Sequence, residues 1–305
     1  MSKDDFDYQR VKEKYLKFIK SQEVLSEPFR DKINQLNKFF IPISEEIFKI
    51  YEKQNRTQII GLTGGQGSGK STISNILKIV LKNAYNLDTV IFSIDDFYKT
   101  YKERKKMSKT VSPLFFTRGV PGTHDTKLLL YCIKKLKFSK FKSLLIPRFD
   151  KSIDDRLKKK NWQKIRKKPN IVIFEGWCVG ASPQKQKDLL YPVNALEKER
   201  DKNRIWRNHV NLELKKNYKK IFKLVDKLIF LKVPSFYHVY KWRLLQEKKL
   251  RAFSNGKKTM NNKQIKNFIM FYERITKHMI KTLKNRAKFV IKIDDKHKLK
   301  SIIVN

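Results

Sequence analysis

Cysteine is nearly missing from this chain: Cys132 and Cys178 are the two in 305 residues, too few for a disulfide framework or a thiolate metal site. A reducing compartment fits that usage. Histidine is sparse as well, and His124, His209, His238, His278 and His297 show no ligand-type spacing, so no structural metal is expected. No apolar run approaches the length needed to span a membrane. The first residues, Met1 to Asp7, are acidic rather than apolar or Arg-rich, which points away from a secretory signal or transit peptide. A cytoplasmic location is the resulting expectation. Acidic residues are also scarce: Asp and Glu total 29 against 71 Lys and Arg, a formal charge of +42.

Such a charge draws in polyanions or phosphorylated metabolites. The lysines, however, are spread over nearly every polar stretch instead of forming one stripe with interleaved aromatics, so compositional bias is favoured over nucleic-acid binding. The densest run, Arg156 to Lys168, reads either as a basic patch or, preferably, as a solvated loop. Core-forming material is plentiful. Hydrophobic residues make up 40% and aromatics 12%, enough for one large α/β domain with additions.

Residues Gly64-Gly65-Gln66-Gly67-Ser68-Gly69-Lys70-Ser71-Thr72 fill the pattern G-x-x-x-x-G-K-[ST]. An apolar stretch, Gln58 to Thr63, precedes them, and Ile73, Ile76, Leu77, Val80 and Leu81 follow at helical spacing. Strand, glycine turn and helix are in register. Glycines let backbone N–H groups gather around a phosphate, and the helix start adds its positive dipole end. Lys70 is placed to neutralise β and γ oxygens, and Ser71 to hold Mg²⁺. ATP and Mg²⁺ are therefore the expected cofactors.

From residue 57 onward strands and helices alternate. The strands are predicted at 57–62, 89–94, 143–149, 170–174, 227–233 and 288–293, the helices at 70–83, 125–137, 184–225, 235–252 and 262–285. Alternation of this kind predicts a doubly wound α/β fold, a parallel sheet covered on both faces with ligands beyond the carboxyl ends of its strands. Residues 1–56 read as an N-terminal helical extension with a break at Pro42, and 57–305 as the P-loop domain. Ser254 to Asn262 reads as a mobile loop between two helices.

Two carboxylate positions follow predicted strands. Asp95, in Ser93-Ile94-Asp95-Asp96-Phe97-Tyr98, is the candidate base that orients an acceptor hydroxyl and takes its proton, although paired aspartates can also cap a helix through Asp96. Glu175, after Ile171-Val172-Ile173-Phe174, is a Walker-B-type strand end suited to Mg²⁺. Between them, Thr117 to Asp125 reads as an acceptor-side loop. Arg118 offers a cation, His124 either a substrate contact or a structural hydrogen bond in the turn, and Asp125 a cap for the next helix.

The ordered set G-Q-G-S-G-K-S-T, S-I-D-D-F-Y, R-G-V-P-G-T-H-D, P-R-F-D-K-S, F-E-G-W-C-V-G and W-R-L-L-Q-E-K-K-L-R resembles the D-glycerate 3-kinase family. That family belongs with phosphoribulokinase, uridine kinase and bacterial pantothenate kinase, and the resemblance runs from about residue 36 to 283. It implies a P-loop kinase fold with a helical lid at about 240–262 and transfer of the ATP γ-phosphoryl group to a hydroxyl of a small metabolite, D-glycerate first. It further implies phosphate binding by Gly64 to Thr72, catalysis by Lys70, Asp95 and Arg243, and an acceptor site lined by Asp95, Tyr98, Arg118, His124, Arg148 and Asp150. Leu250-Arg251 matches the lid as well. The chain departs from the pattern after Phe149-Asp150-Lys151-Ser152, where Ile153-Asp154-Asp155-Arg156 is shortened and lacks glycine, so this loop has its own shape. Uridine, pantothenate, a sugar phosphate or a metabolite-repair substrate are the alternative acceptors. A nucleic-acid-driven ATPase is the alternative of another class. No motif specifies an oligomeric state.

Overall fold

The computed structural model describes residues 7–23, 31–253 and 260–305. Ten strands occur among the described residues, in chain order β1 (Gln58–Gly64), β2 (Thr89–Ser93), β3 (Leu144–Ile146), β4 (Phe149–Asp150), β5 (Asp155–Arg156), β6 (Gln163–Ile165), β7 (Ile171–Gly176), β8 (Lys227–Lys232), β9 (Phe289–Ile293) and β10 (Leu299–Val304). Six of them make the central sheet, in the order β10-β9-β8-β1-β7-β2. Every pair in it is parallel except the closing hairpin β9–β10. β1 and β7 are buried along their whole length, as expected of strands covered on both faces.

The predicted 143–149 strand is not part of this sheet. Pro147 removes a ladder donor, and the segment splits into β3, paired antiparallel with β6, and β4, paired antiparallel with β5. The predicted 184–225 helix is also broken. Pro192 interrupts it, Asn194 caps a new start at Ala195–Arg200, and Asp201 accepts from the N–H groups of Trp206 and Arg207 to open Ile205–Glu213. Tyr101–Thr110 is a helix the periodicity did not reveal.

Helix Lys70–Tyr85 buries Ile73, Ile76, Leu77, Val80, Leu81 and Ala84, the stripe read from the sequence. The N-terminal helices Tyr8–Gln22 and Ile41–Gln54 pack on it, and Val11, Tyr15, Ile43 and Ile47 belong to the same core. Pro42 does not end the helical run, which is continuous from Lys32 to Gln54; instead the turn before it, Leu36–Phe40, is a π-helix, with the Ile41 N–H bonded to the Leu36 carbonyl, and this local widening accommodates the missing proline donor. No helix among the described residues is long and apolar enough to cross a membrane. Residues 254–259 of the expected Ser254–Asn262 loop, and the side chains of Leu250 and Arg251, lie outside the described residues.

This topology gathers three strand ends. β7 lies between β1 and β2 with Thr63 beside Gly176 and Ser93 beside Glu175, so the phosphate loop, Glu175 and Asp95 leave one edge of the sheet together.

Candidate active site

The loop from Gly64 to Gly69 fits a cradle. Gly67 and Gly69 have φ of +76° and +83°, the left-handed region that side chains avoid. A Cβ at Gly65 would stand 2.6 Å from Val239 Cγ2, and one at Gly67 2.9 Å from Trp242 Cβ. The helix Phe236–Phe253, which carries Val239 and Trp242, thus rests directly on the loop. Within it the Ser68 hydroxyl and both polar atoms of the Gln66 side chain are buried without a hydrogen-bond partner. Buried polar groups are ordinarily paired, so this loop offers unspent capacity to a polar ligand.

Lys70 Nζ donates to the carbonyls of Gly64 and Gly65, 3.0 Å from each. Burial lowers its pKa, while Glu175 and Asp95 pull the other way, which places both carboxylates within electrostatic reach of one ammonium. Ser71 Oγ lies 3.1 and 3.3 Å from the two carboxylate oxygens of Glu175. A hydroxyl and a carboxylate side by side are the hard oxygen donors that suit a divalent cation such as Mg²⁺. Burial raises the Glu175 pKa, with Lys70 opposing.

Asp95 and Asp96 divide their roles. Asp96 accepts from the Ser93 N–H and closes a capping box on the short turn Ile94–Phe97, so the capping alternative holds for this member of the pair. It also receives Arg148 Nη1 at 3.1 Å, and Arg148 Nη2 donates to Gln163 Oε1. Arg148 therefore braces Asp96 and β6. Asp95 is left to face the site, accepting from the Tyr98 hydroxyl at 2.9 Å and from Lys151 Nζ at 2.8 Å. Burial raises its pKa, but Lys151, His124 and Tyr98 outweigh that and bring it down to about 2. It is a carboxylate at any physiological pH.

The loop Thr117–Asp125 is laced onto the Asp95 segment. Tyr98 and His124 form a β-bridge, and Asp125 N–H donates to the Phe97 carbonyl. Asp125 caps the helix Thr126–Phe138 as expected. Arg118 is paired with Asp154 and sits over the Phe149 ring, and Asp150 accepts from the Ser152 N–H and hydroxyl. His124 is fully buried, stacked on Tyr98, with Nδ1 2.6 Å from the Tyr218 hydroxyl and Nε2 without a partner. Its contacts are those of a structural histidine beneath Tyr98.

Burial lowers the His124 pKa from 6.5 to about 3, with Asp95 opposing. As pH falls below 6.5 the unfolded chain takes up a proton that the folded chain refuses, so stability drops by up to about 1.4 kcal/mol per pH unit. His124→Asn is expected to lose that share of the acid limb in urea melts at pH 7 and pH 5. An unaltered pH slope would contradict the buried neutral imidazole.

Arg243 lies on the helix resting against the phosphate loop. It is paired with Glu247 at 2.5 Å, its Nη1 is buried with no hydrogen-bond partner, and its guanidinium faces the Phe268 ring. Tyr272, from the helix Asn262–Thr282, joins the site although no motif marked it. Burial pushes its pKa up, Asp95 adds to this and Arg118 and Arg243 oppose, so the three charged groups converge on one phenol. Its hydroxyl is also 3.4 Å from the Arg118 carbonyl. Lys151 stands in the quoted P-R-F-D-K-S stretch, which gave it no role of its own. Cys178 is fully buried and burial raises its thiol pKa, which keeps it protonated and inert.

Residues 59–190 match the profile of the Phosphoribulokinase / Uridine kinase family. The chain is 33% identical over 257 residues to an uncharacterised kinase of Schizosaccharomyces pombe, mug58, covering 80% of this chain and 90% of that one. It is 27% identical over 234 residues to the chloroplastic D-glycerate 3-kinase of Arabidopsis thaliana, covering 74% of this chain and 48% of that protein. The solved structure of D-glycerate 3-kinase from Cryptococcus neoformans shares the fold, with a TM-score of 0.73 over 87% of this chain and 97% of that one at 22% identity.

Proposed function

The chain belongs to the phosphoribulokinase/uridine kinase family of P-loop kinases, and from that premise we propose that it phosphorylates a hydroxyl of a small metabolite, D-glycerate first, at the expense of ATP. Membership implies ATP use and a small-molecule substrate, which favours this reading over a nucleic-acid-driven ATPase. The observation that carries the reading is the convergence of Asp95 and Glu175 on Lys70 from neighbouring strand ends.

In this reading the glycine loop and Lys70 hold the β and γ phosphates. Ser71 and Glu175 would hold Mg²⁺, which when bound supplies further neutralisation of phosphate charge. Asp95 orients the acceptor hydroxyl and takes its proton as the oxygen attacks the γ phosphorus in line. We assign 57–305 as the kinase domain, 1–56 as its extension and about 240–262 as a lid. The close contact of Val239 and Trp242 with Gly65 and Gly67 supports a lid that senses the phosphates.

Arg243, half free of its Glu247 pairing, is the cation this lid would bring to the transferring phosphoryl group. Arg243→Met is expected to lower kcat on the order of 10³-fold with ATP affinity kept, read by single-turnover kinetics and nucleotide titration. Unchanged kcat would remove Arg243 from the mechanism. The reading as a whole is tested by acceptor-dependent ADP release across D-glycerate, uridine, pantothenate and ribulose 5-phosphate. D-Glycerate is expected to give the highest kcat/KM, and another acceptor leading would replace it.

A further inference from the structure

Both oxygens of the Asp95 carboxylate are engaged: Oδ1 by the Tyr98 hydroxyl, Oδ2 by the Lys151 ammonium. The two partners differ in freedom. Tyr98 is 3% exposed, stacked on His124 and edge-on to Phe149, so its hydroxyl is fixed. Lys151 stands at the turn between β4 and β5 with 61% of its side chain exposed, and an ammonium on a flexible four-carbon stem swings readily. An acceptor hydroxyl that gives its proton to Asp95 needs one of these oxygens. Oδ2 is the one that can open.

Among the neighbouring cations Arg118 is paired with Asp154 and Arg148 with Asp96, while Lys70 and Arg243 are assigned above to the phosphates. Lys151 is the cation whose present partner is the group the reaction must free. Displaced from Asp95, its ammonium gives up the carboxylate it now meets, and an anionic group on the incoming molecule would replace that partner.

We propose that Lys151 is a specificity-determining residue: the acceptor hydroxyl displaces it from Asp95 Oδ2, and the released ammonium pairs with a carboxylate or phosphate on the same acceptor. The inference rests on the kinase reading above and narrows it to anionic acceptors, because a neutral molecule offers the released ammonium no counter-charge in place of Asp95. In the transfer itself the acceptor oxygen bonds to the γ phosphorus as the β–γ bridging P–O bond breaks. ADP leaves with the electron pair of that bond, and the hydroxyl proton passes to Asp95 Oδ2.

The test measures ADP release by the full chain with D-glycerate, pantothenate, ribulose 5-phosphate, glycerol and uridine, in the parent protein, Lys151→Met and Lys151→Arg. The parent is expected to use at least one of the three anions and neither neutral compound, and the carboxylates against ribulose 5-phosphate tell which anion is read. Lys151→Met should raise the KM of that acceptor by about 10- to 100-fold, the value of a hydrogen bond to a charged group, with the KM for ATP unchanged. Lys151→Arg should recover most of the loss. Uridine or glycerol as the best acceptor, or an acceptor KM that Lys151→Met leaves unchanged, would overturn the role of Lys151 while the kinase reading stands. ATP binding with no acceptor-dependent ADP release from any of the five would overturn the kinase reading, and the inference with it.

Discussion

Asp95→Asn is expected to bind ATP like the parent chain and to lose on the order of 10²- to 10⁴-fold in turnover, the usual contribution of a positioned general base. The amide keeps the shape of the side chain and can still meet Tyr98, but it cannot accept a proton from an alcohol. Loss of fold does not explain such a result. The Lys151 end of the pair is 61% exposed, and ion pairs of that kind contribute about 0–1 kcal/mol. The cap of the turn is held by Asp96, which the substitution leaves in place. Nucleotide titration and single-turnover kinetics on the same preparation check both halves of the expectation. Weak ATP binding, or near-normal turnover, would show that Asp95 has another role.

Lys70→Ala should behave differently, lowering nucleotide affinity and turnover together. Lys70 is the ammonium on which Glu175 and Asp95 both act, and it touches the loop itself through the Gly64 and Gly65 carbonyls. Its removal takes away a phosphate partner in the ground state and in the transition state. It also leaves two carboxylates facing each other without their shared cation. A loss on the order of 10²- to 10³-fold in kcat/KM is expected, as for removal of one preorganised donor, with a matching rise in the Kd for ATP. Undiminished affinity would contradict the cradle.

Much of this was legible in the sequence because it depends on local rules. The phosphate loop is strand, glycine turn and helix in consecutive residues, and the stripe from Ile73 to Leu81 is buried as its spacing required. Five of the six predicted strands lie in the central sheet, where short β-branched runs bounded by polar residues are hard to misread. The sixth, 143–149, failed because Pro147 outweighed its apolar composition. β10 escaped notice as a short edge strand whose partner is the hairpin's other arm. The helix Tyr101–Thr110 is polar almost all round, so periodicity is silent there. Its readable signal was the Thr100–Glu103 capping box, and Arg104, fully buried, ties it to the carbonyls of Lys99 and Phe116.

In the site, what the sequence hid is what long-range packing decides. Arg148 carries the acceptor-lining role by resemblance, yet its guanidinium spans Asp96 and Gln163, which lie on separate segments. Tyr272 comes from nearly a hundred residues beyond Trp177, whose ring it meets edge-on, and no local pattern links the two. Lys151 lies in the quoted P-R-F-D-K-S stretch, but no local pattern joins it to Asp95, 56 residues earlier, whose carboxylate its ammonium meets.

The central claim is that Asp95 and the phosphate loop hold an alcohol and a terminal phosphate face to face. Phosphorus NMR of the enzyme with ATP, Mg²⁺ and D-glycerate measures this most directly. One phosphoester per ADP, with inorganic phosphate only at the rate seen without acceptor, is the predicted outcome. ADP formed with inorganic phosphate alone, whichever of the acceptors above is supplied, would contradict it.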